Sequence, residues 1–155
     1  MTQAVKIIGG GAGDAAAMAA LHASAFADAW PEAAFAALMA REGVFALLAL
    51  RAADDVLRGF ILIQLAADEA EVLTFCVSKE TRQTGLGGAL LTAACDLARA
   101  GGARAMFLEV GEANAAAIKL YEREGFAVVG RRPAYYRRDH GAGDALVMRK
   151  VLNQP

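Results

Sequence analysis

The sequence predicts an α/β domain built on a mixed sheet that is mostly antiparallel. Short apolar runs of strand length alternate with longer runs that have helical periodicity. These runs occur in the order β-α-α-β-β-β-α-β-α-β-β. The three central strands are separated only by short polar breaks, which is typical of antiparallel hairpins. The chain has 155 residues, and we expect residues 1–152 to form a single domain.

The first half of the chain contains four of the predicted strands and two of the helices. AVKIIG, at residues 4–9, is a short apolar strand. Asp14 can cap the alanine-rich helix that follows it, which runs to about Ala27. Pro31 fits the first turn of a second helix that ends before Gly43. The next three strands are predicted at residues 44–51, 57–66 and 71–78.

The second half begins with three glycines in front of a long apolar helix, predicted over residues 85–100. Gly101 and Gly102 end that helix, since glycine favours the backbone conformation that follows a helix. Asn114 is a favoured capping residue for a helix that runs to about Glu124. The remaining strands are predicted at residues 103–110, 126–132 and 145–150.

Composition excludes several classes of function. A net charge of −1 argues against direct nucleic-acid binding, which favours a basic surface. Two cysteines and two histidines are too few for a zinc site or a disulfide framework, so we expect no metal. His22 is interpreted as part of a helix face. No apolar run has the length of a membrane span, and the first residues lack the order of a signal peptide, so we expect a cytoplasmic protein.

The glycine-rich segments could each cradle a phosphate. The segment before the long helix lacks the Lys-Ser or Lys-Thr of a P-loop. Near the N-terminus, Gly11, Gly13 and Ala16 match the spacing of a dinucleotide fingerprint for a flavin or NAD. That fingerprint requires a second strand with an acidic end further along, where this chain has the helical pattern AWPEAAFAALMA. The match is therefore weak.

The stronger candidate is R-x-x-G-x-G at Arg82, Gly85 and Gly87, between a predicted strand and a predicted helix. A helix N-terminus offers unpaired N–H groups and a partial positive charge, and glycines let a pyrophosphate approach them. A glycine-lined turn that only packs the helix onto the sheet would have the same pattern. The six residues alone leave both interpretations open.

The longer segment VLTFCVSKETRQTGLGGALL resembles the acetyl-CoA-binding motif of the GNAT superfamily of N-acetyltransferases. The resemblance implies the GNAT (acyl-CoA N-acyltransferase) fold, with a seven-stranded mixed sheet and about four helices, and acetyl-CoA as co-substrate. It also implies that the strand before the loop binds the pantetheine arm through its backbone, with the Val77 N–H as an oxyanion donor. Lys79 stands where many members have proline. The implied coenzyme contacts are Phe75, Cys76, Val77, Arg82, Gln83, Thr84, Gly85, Leu86, Gly87, Gly88 and Asn114.

Two residues are candidates for acid–base chemistry. Glu109 is the only carboxylate inside an apolar strand, and burial would strengthen it as a base. It could equally face solvent or pair with an arginine such as Arg104. Tyr121 shares a helix face with Ala117 and Ile118, and its phenol could donate a proton to a leaving thiolate. A core aromatic with a hydrogen-bonded hydroxyl is the simpler interpretation of Tyr121.

The C-terminal segment LEVGEANAAAIKLYEREGFAVVGRRPAYY resembles the RimI branch of the GNATs, which acetylates the N-terminal alanine of ribosomal protein S18. The resemblance implies that Glu109 is the general base, Tyr121 the general acid and Asn114 a coenzyme contact. It places Tyr135 and Tyr136 over the acceptor site and includes Trp30 through the segment LHASAFADAWPEAAF.

The acceptor is less firmly indicated than the chemistry. Gly111 stands where many members of the branch have arginine, so another protein N-terminus, a lysine or a small amine remain alternatives. A binding module that senses acetyl-CoA without catalysis is a further alternative. A basic patch could grip a phosphate, ribosomal RNA or the acceptor, or form a solvated loop face; its residues are Arg131, Arg132, Arg137 and Arg138.

Overall fold

The computed structural model describes residues 4–82, 84–133 and 143–152, which form a seven-stranded mixed sheet and four α-helices. The strand order is β1-β2-β3-β4-β5-β7-β6. The β4–β5 pair is parallel, whereas β1–β2, β2–β3, β5–β7 and β6–β7 are antiparallel. The strands are β1 (Val5–Gly10), β2 (Val44–Arg51), β3 (Leu57–Ala66), β4 (Glu69–Val77), β5 (Ala105–Gly111), β6 (Ala127–Arg132) and β7 (Ala145–Val151).

The helices lie where the sequence predicts them, with ends that differ by up to three residues; the largest difference is at α2, which ends at Met39. They are α1 (Ala15–Ala25), α2 (Glu32–Met39), α3 (Leu86–Ala100) and α4 (Ala115–Arg123), with short 3-10 turns at Ala12–Asp14 and Lys79–Thr81.

The predicted role of Asp14 is wrong in its detail. Asp14 does occupy the N-cap position of α1, but its side chain makes no capping bond to that helix. Its Oδ2 instead accepts from the Gly11 N–H at 2.8 Å, because a 3-10 turn precedes the helix. The carboxylate therefore stabilises the turn that leads into α1.

The chain divides into two compact units. The first contains Met1–Gln64 and Leu73–Asp96, and the second contains Leu65–Val72 and Leu97–Pro155. In the first unit, α1 and α2 bury apolar side chains against strands β2, β3 and β4. The buried members of this core are Ala15, Met18, Phe35, Val44, Ala46, Leu48, Phe60, Leu62 and Cys76.

The second unit is organised by the β5–β7–β6 part of the sheet. Alternate residues of β5 are buried, namely Met106, Leu108 and Val110, which is the pattern of a strand with one core face. Glu109 therefore belongs to the other, half-buried face. The β6–β7 register shifts between Val128 and Gly130, so one extra residue is accommodated in β6.

Candidate active site

The loop between β4 and α3 requires glycine at one position. Gly85 has φ +89°, a backbone conformation that other residues adopt only with strain. A Cβ added there would meet nothing within 4 Å, so it is backbone geometry and not crowding that selects glycine. Gly85 is exposed, and its carbonyl accepts from Ala89 N–H at 3.0 Å, which starts α3. The N–H groups of the first turn of α3 have no partner within the helix, so they are available to a ligand.

Hydroxyl groups and backbone hold this loop in shape. Ser78 Oγ lies 2.8 Å from Thr81 Oγ1, and Thr84 Oγ1 donates to the Thr81 carbonyl at 2.5 Å. Arg82 is exposed, and its Nε donates to the Val77 carbonyl at 3.4 Å. The guanidinium is thus tethered at the end of β4, close in sequence to the first turn of α3. Gln83 lies outside the described residues.

The end of β4 has two faces. Thr74 and Cys76 are buried, whereas Phe75 and Val77 are half-buried on the opposite face. Burial raises the pKa of the Cys76 thiol to about 11. The thiol therefore stays protonated at neutral pH and behaves as a small apolar side chain, as predicted.

The half-buried face of β5 bears an ion pair. Glu109 Oε1 lies 2.7 Å from Arg132 Nη2, and the two side chains are 26% and 54% exposed. Of the environments left open for Glu109, the structure shows a half-buried carboxylate that is paired with an arginine. The suggested partner Arg104 is wrong, since Arg132 occupies that role.

The sheet register explains how Arg132 on β6 reaches Glu109 on β5, with β7 between them. Glu109 and Gly130 both lie opposite Val147, and Arg132 lies opposite Ala145. Directly opposed residues share a face, so Arg132 and Glu109 are diagonal neighbours across β7. The small side chain of Ala145 leaves the path of the arginine clear.

Tyr121 is the second candidate acid–base residue, and α4 holds it in the second unit. It is 8% exposed, and its ring lies edge-on to Phe126 at a centroid distance of 6.0 Å. The ring is thus fixed by packing, as the simpler interpretation of this residue predicted. Packing of the ring and chemistry of the hydroxyl are compatible, because they concern opposite ends of the side chain.

Asn114 caps α4 as predicted. Its Oδ1 accepts from the Ala117 N–H at 3.2 Å, while the residue itself is exposed. An N-cap fixes where the helix begins and therefore where Tyr121 lies along it. Glu109 lies on β5 and Tyr121 on α4, which are consecutive elements of the same unit. The short segment between these two elements ends at Asn114.

The two described arginines of the basic patch are exposed, but they lie on a strand and not in a loop. Arg131 and Arg132 lie on β6 and are ion-paired. Arg131 bonds Glu112, and its Nη1 lies 3.0 Å from Asp144 Oδ2. This cluster ties the ends of β5 and β6 to the start of β7. Arg137 and Arg138 lie outside the described residues.

The predicted acceptor contacts are only partly visible. Trp30 is half-buried between α1 and α2, with its ring 5.5 Å from Phe35. Tyr135 and Tyr136 lie outside the described residues. Two features could not be predicted from the sequence, namely the pairing of Arg132 with Glu109 and the hydrogen bonds of His22. Both depend on contacts between different elements of the fold.

Comparison with known proteins identifies the family. Residues 15–126 match the model of the acetyltransferase (GNAT) family. The chain belongs to the GNAT family. It is similar to the crystal structure of the ribosomal-protein-S18-alanine N-acetyltransferase from Escherichia coli, with a TM-score of 0.89 and 29% identity over 98% of this chain and 96% of that one. The predicted GNAT fold is therefore confirmed.

Two sequence relatives extend the comparison. The chain is 38% identical to the [ribosomal protein bS18]-alanine N-acetyltransferase of Salmonella typhimurium over 96 residues, 62% of this chain and 65% of that protein. The match thus spans slightly less than two thirds of that relative. A Bacillus subtilis protein that has the same name provisionally is 31% identical over 134 residues, 86% of this chain and 87% of its own length. The resemblance to the RimI branch is confirmed.

Within residues 4–82, 84–133 and 143–152, no helix is both long and apolar enough to cross a membrane. The same described residues contain no cluster of three or more histidine, cysteine, aspartate or glutamate side chains that could hold a metal ion.

Proposed function

We propose that the protein transfers the acetyl group of acetyl-CoA to the N-terminal alanine of ribosomal protein S18, in the cytoplasm. The observation that supports this most directly is the partly exposed carboxylate of Glu109 on β5, at the position that the resemblance assigns to the general base. Arg132 Nη2 lies 2.7 Å from Glu109 Oε1 and orients this carboxylate on the half-buried face of β5. The proposed acceptor is taken from the relatives, which are named as alanine N-acetyltransferases of ribosomal protein bS18.

The loop between β4 and α3 fits a coenzyme diphosphate. The positive φ of Gly85 forms the turn that leads into α3, whose first N–H groups have no partner within the helix, and the tethered Arg82 adds positive charge nearby. The backbone of Phe75, Cys76 and Val77 would bond the pantetheine arm like an added strand. The same proposal assigns a coenzyme contact to Asn114, and coenzyme contacts in the loop to Gln83, Thr84, Leu86, Gly87 and Gly88.

The coenzyme would supply an activated thioester, and the protein would move two protons. Glu109 accepts a proton from the N-terminal ammonium, directly or through a water molecule, which frees the nitrogen lone pair for attack. The Val77 N–H would donate to the oxyanion that forms. Tyr121 then donates its proton to the departing sulfur, and its hydroxyl is restored by the second proton, which the nitrogen loses as the amide forms. An α-amine has an ordinary pKa of about 8, well below that of lysine, so it is the easier amine to deprotonate.

Direct attack is favoured over an acyl-cysteine route. An acylated cysteine would require a thiolate, whereas burial raises the pKa of Cys76 to about 11. Cys95 is also buried, at 2% exposure. Neither thiol is therefore suited to be a nucleophile at neutral pH. Trp30, Tyr135 and Tyr136 would contact the acceptor peptide, as the resemblance implies.

The test is release of free thiol from acetyl-CoA in the presence of a peptide that begins Ala-Arg-Tyr, with free lysine and small amines as competing acceptors. We expect turnover of the peptide and little turnover of the amines. Glu109→Gln and Tyr121→Phe should each lower kcat by about 10²–10⁴-fold, with coenzyme affinity preserved. Glu122→Gln is the matched control, because Glu122 is an exposed carboxylate beside Tyr121 on α4.

Other results would reassign the protein. Turnover of another N-terminus, of lysine or of small amines, but not of the Ala-Arg-Tyr peptide, would replace the acceptor and keep the chemistry. Coenzyme binding without thiol release for any amine would show a module that only binds acetyl-CoA. Full activity of both Glu109→Gln and Tyr121→Phe would refute the assigned roles.

A further inference from the structure

His22 is the only buried histidine in the described part of the chain, and both of its ring nitrogens are bonded. It is 3% exposed and lies in the last turn of α1. Its Nδ1 accepts from the backbone N–H of Trp30 at 3.0 Å. Its Nε2 lies 3.1 Å from Thr74 Oγ1 on β4. A histidine that only fills space would not require two polar partners from two different segments.

The hydrogen bonds define the protonation state of the ring. A backbone N–H can only donate, so Nδ1 of His22 must bear a lone pair and no proton. The neutral ring then has its proton on Nε2, which donates to Thr74 Oγ1. The C-terminal end of α1 would favour an imidazolium, but burial dominates and lowers the pKa of His22 below its ordinary value.

Aromatic rings hold the imidazole in place on several sides. The ring centroids of Phe26, Trp30, Phe35 and Phe60 lie 4.4, 5.2, 5.3 and 6.3 Å from that of His22. These neighbours belong to the segment after α1, to α2 and to β3. The hydroxyl of Thr74 does not titrate in water. The thiol of Cys76, two residues further along β4, stays protonated at neutral pH. Packing therefore fixes the plane of the imidazole, and with it the directions of its two hydrogen bonds.

The ring connects two parts of the first unit that the proposed function uses. Trp30 belongs to the α1–α2 loop, residues 26–31, which is assigned to the acceptor side. Thr74 directly precedes Phe75, Cys76 and Val77, which are assigned to the coenzyme. A second contact supports the same connection, since Cys76 Sγ donates to the Leu21 carbonyl at 3.7 Å. The last turn of α1 is thus tied to β4 at two alternate residues.

We propose that His22 is a positioning residue that fixes the α1–α2 loop, and with it Trp30, against the coenzyme strand β4. It acts through the Trp30 backbone and the Thr74 hydroxyl and does not itself touch either substrate. The proposal rests on the proposed function to the extent that Trp30 contacts the acceptor. Its consequence is specific: loss of the Nδ1 acceptor should weaken acceptor binding and leave coenzyme binding and chemistry unchanged.

Three substitutions separate the two hydrogen bonds from packing. His22→Asn retains an acceptor oxygen near the position of Nδ1 and loses the bond to Thr74. His22→Gln places its amide near the position of Nε2 and loses the acceptor for Trp30. His22→Phe retains an aromatic ring and loses both bonds. Trp30 is the single tryptophan of the chain, so its fluorescence reports directly on the loop.

We expect His22→Gln and His22→Phe to raise the KM for the acceptor peptide by about tenfold, which is the size of effect that one lost buried hydrogen bond produces. The kcat and the dissociation constant for acetyl-CoA should stay within about twofold of the parent. His22→Asn should retain a KM close to that of the parent. In parallel, Trp30 emission should shift to longer wavelength and become easier to quench with acrylamide in the Gln and Phe variants only.

The outcomes distinguish this proposal from the proposed function. Unchanged Trp30 emission in His22→Phe would refute the positioning role whatever the activity. Equal acceptor KM values in the Asn and Phe variants, or a parallel loss of kcat and coenzyme affinity, would also refute it. If the emission changes occur as expected but the unsubstituted protein acetylates no peptide, the loop anchor stands and the acceptor assignment fails.

A fourth variant covers the case in which the His22 variants do not fold. Thr74→Val is close in shape to threonine and leaves the imidazole bonded to Trp30 alone. We expect its acceptor KM to rise about threefold at unchanged kcat, because the ring keeps its packing but loses one orienting bond. An acceptor KM equal to that of the parent would show that the bond to β4 has no positioning effect.

Discussion

At the scale of single residues, an ion pair connects Glu109 on β5, the proposed general base, to Arg132 on β6. An ion pair that is half exposed contributes at most about 1 kcal/mol to stability. Its value therefore lies in orientation, since the contact of Arg132 Nη2 with Oε1 restricts the rotation of the carboxylate. We expect Arg132→Met to lower kcat about tenfold through loss of that orientation, with little change in melting temperature.

The neighbouring residue provides the control for this prediction. Arg131→Met removes the same charge from the same strand, but Arg131 bonds Glu112 and Asp144 and does not bond Glu109. At saturating acceptor, Arg131→Met should leave kcat close to that of the parent. Equal losses of kcat in the two variants would show that net charge matters and that the contact with Glu109 does not.

The two cysteines give a second prediction at this scale. Both are buried, and burial raises the pKa of Cys76 to about 11. Since the thiolate is the reactive form, the folded protein should react slowly with a thiol-specific disulfide reagent at pH 7–8. Both thiols should react promptly after unfolding in guanidinium chloride. Rapid stoichiometric reaction of the native protein would contradict the burial and reopen the acyl-cysteine route.

At the scale of secondary-structure elements, the turn before α3 can be tested by substitution. Gly85→Ala forces a side chain onto a backbone with φ +89°, which costs about 1–2 kcal/mol. For a chain of this length that loss corresponds to a drop in melting temperature of about 2–8 °C. Because the same turn leads into the first N–H groups of α3, acetyl-CoA affinity should fall as well, as calorimetry would show.

Gly13→Ala is the matched control for the turn. A Cβ at Gly13 would also meet nothing within 4 Å, but this glycine does not have a positive φ. Alanine there should be neutral or slightly stabilising, because it restricts the unfolded chain. Equal destabilisation of the two variants would show that the loss at Gly85 comes from general sensitivity to alanine and not from its backbone angle.

Local signals explain why the elements could be predicted from the sequence. Asn114, the glycine pair at Gly101 and the apolar periodicity of α3 act over a few residues, so their effects are visible without the fold. The extra residue in β6 at Val129 and the 3-10 turn at Lys79–Thr81 leave no comparable signature. The pairing of Glu109 depends on that register, and so the sequence suggested Arg104 and the structure shows Arg132.

At the scale of the whole molecule, the strand order depends on long-range pairing. β7 lies between β5 and β6, so the last strand of the chain inserts between two earlier ones. Apolar periodicity cannot predict that order, whereas the resemblance to the GNAT family does imply it. The prediction that residues 1–152 form one domain remains to be tested. The boundaries of the two compact units fall inside β3, β4 and α3, which gives a physical reason to expect cooperative unfolding.

Cooperativity can be measured with two probes. Trp30 fluorescence reports on the first unit, and far-UV circular dichroism reports on all helices and strands. If the chain is one domain, the two urea transitions should coincide. Gly13→Ala serves as a control that should leave the coincidence intact. Separate midpoints would show that the two units unfold independently.

The dependence of stability on pH follows from His22. Burial lowers its folded-state pKa below the ordinary value of 6.5. Between those two values the unfolded chain binds more protons than the folded chain, so the free energy of unfolding must fall as the pH decreases through that window. The contribution is fully present above pH 6.5 and is lost as the pH falls through the folded-state pKa. Asp54, whose pKa is lowered to about 2 by its hydrogen bond with Arg51, acts only at more acidic pH.

Urea titrations at half-unit steps from pH 5 to pH 8 would isolate this contribution. The free energy of unfolding of the parent should decrease below pH 6.5, and that of His22→Asn should decrease less over the same range, because asparagine does not titrate. His140 lies outside the described residues and is present in both proteins, so it cancels in the difference. Parallel curves for the parent and the variant would mean that His22 is not held neutral, which would also remove the basis for its bond to Trp30.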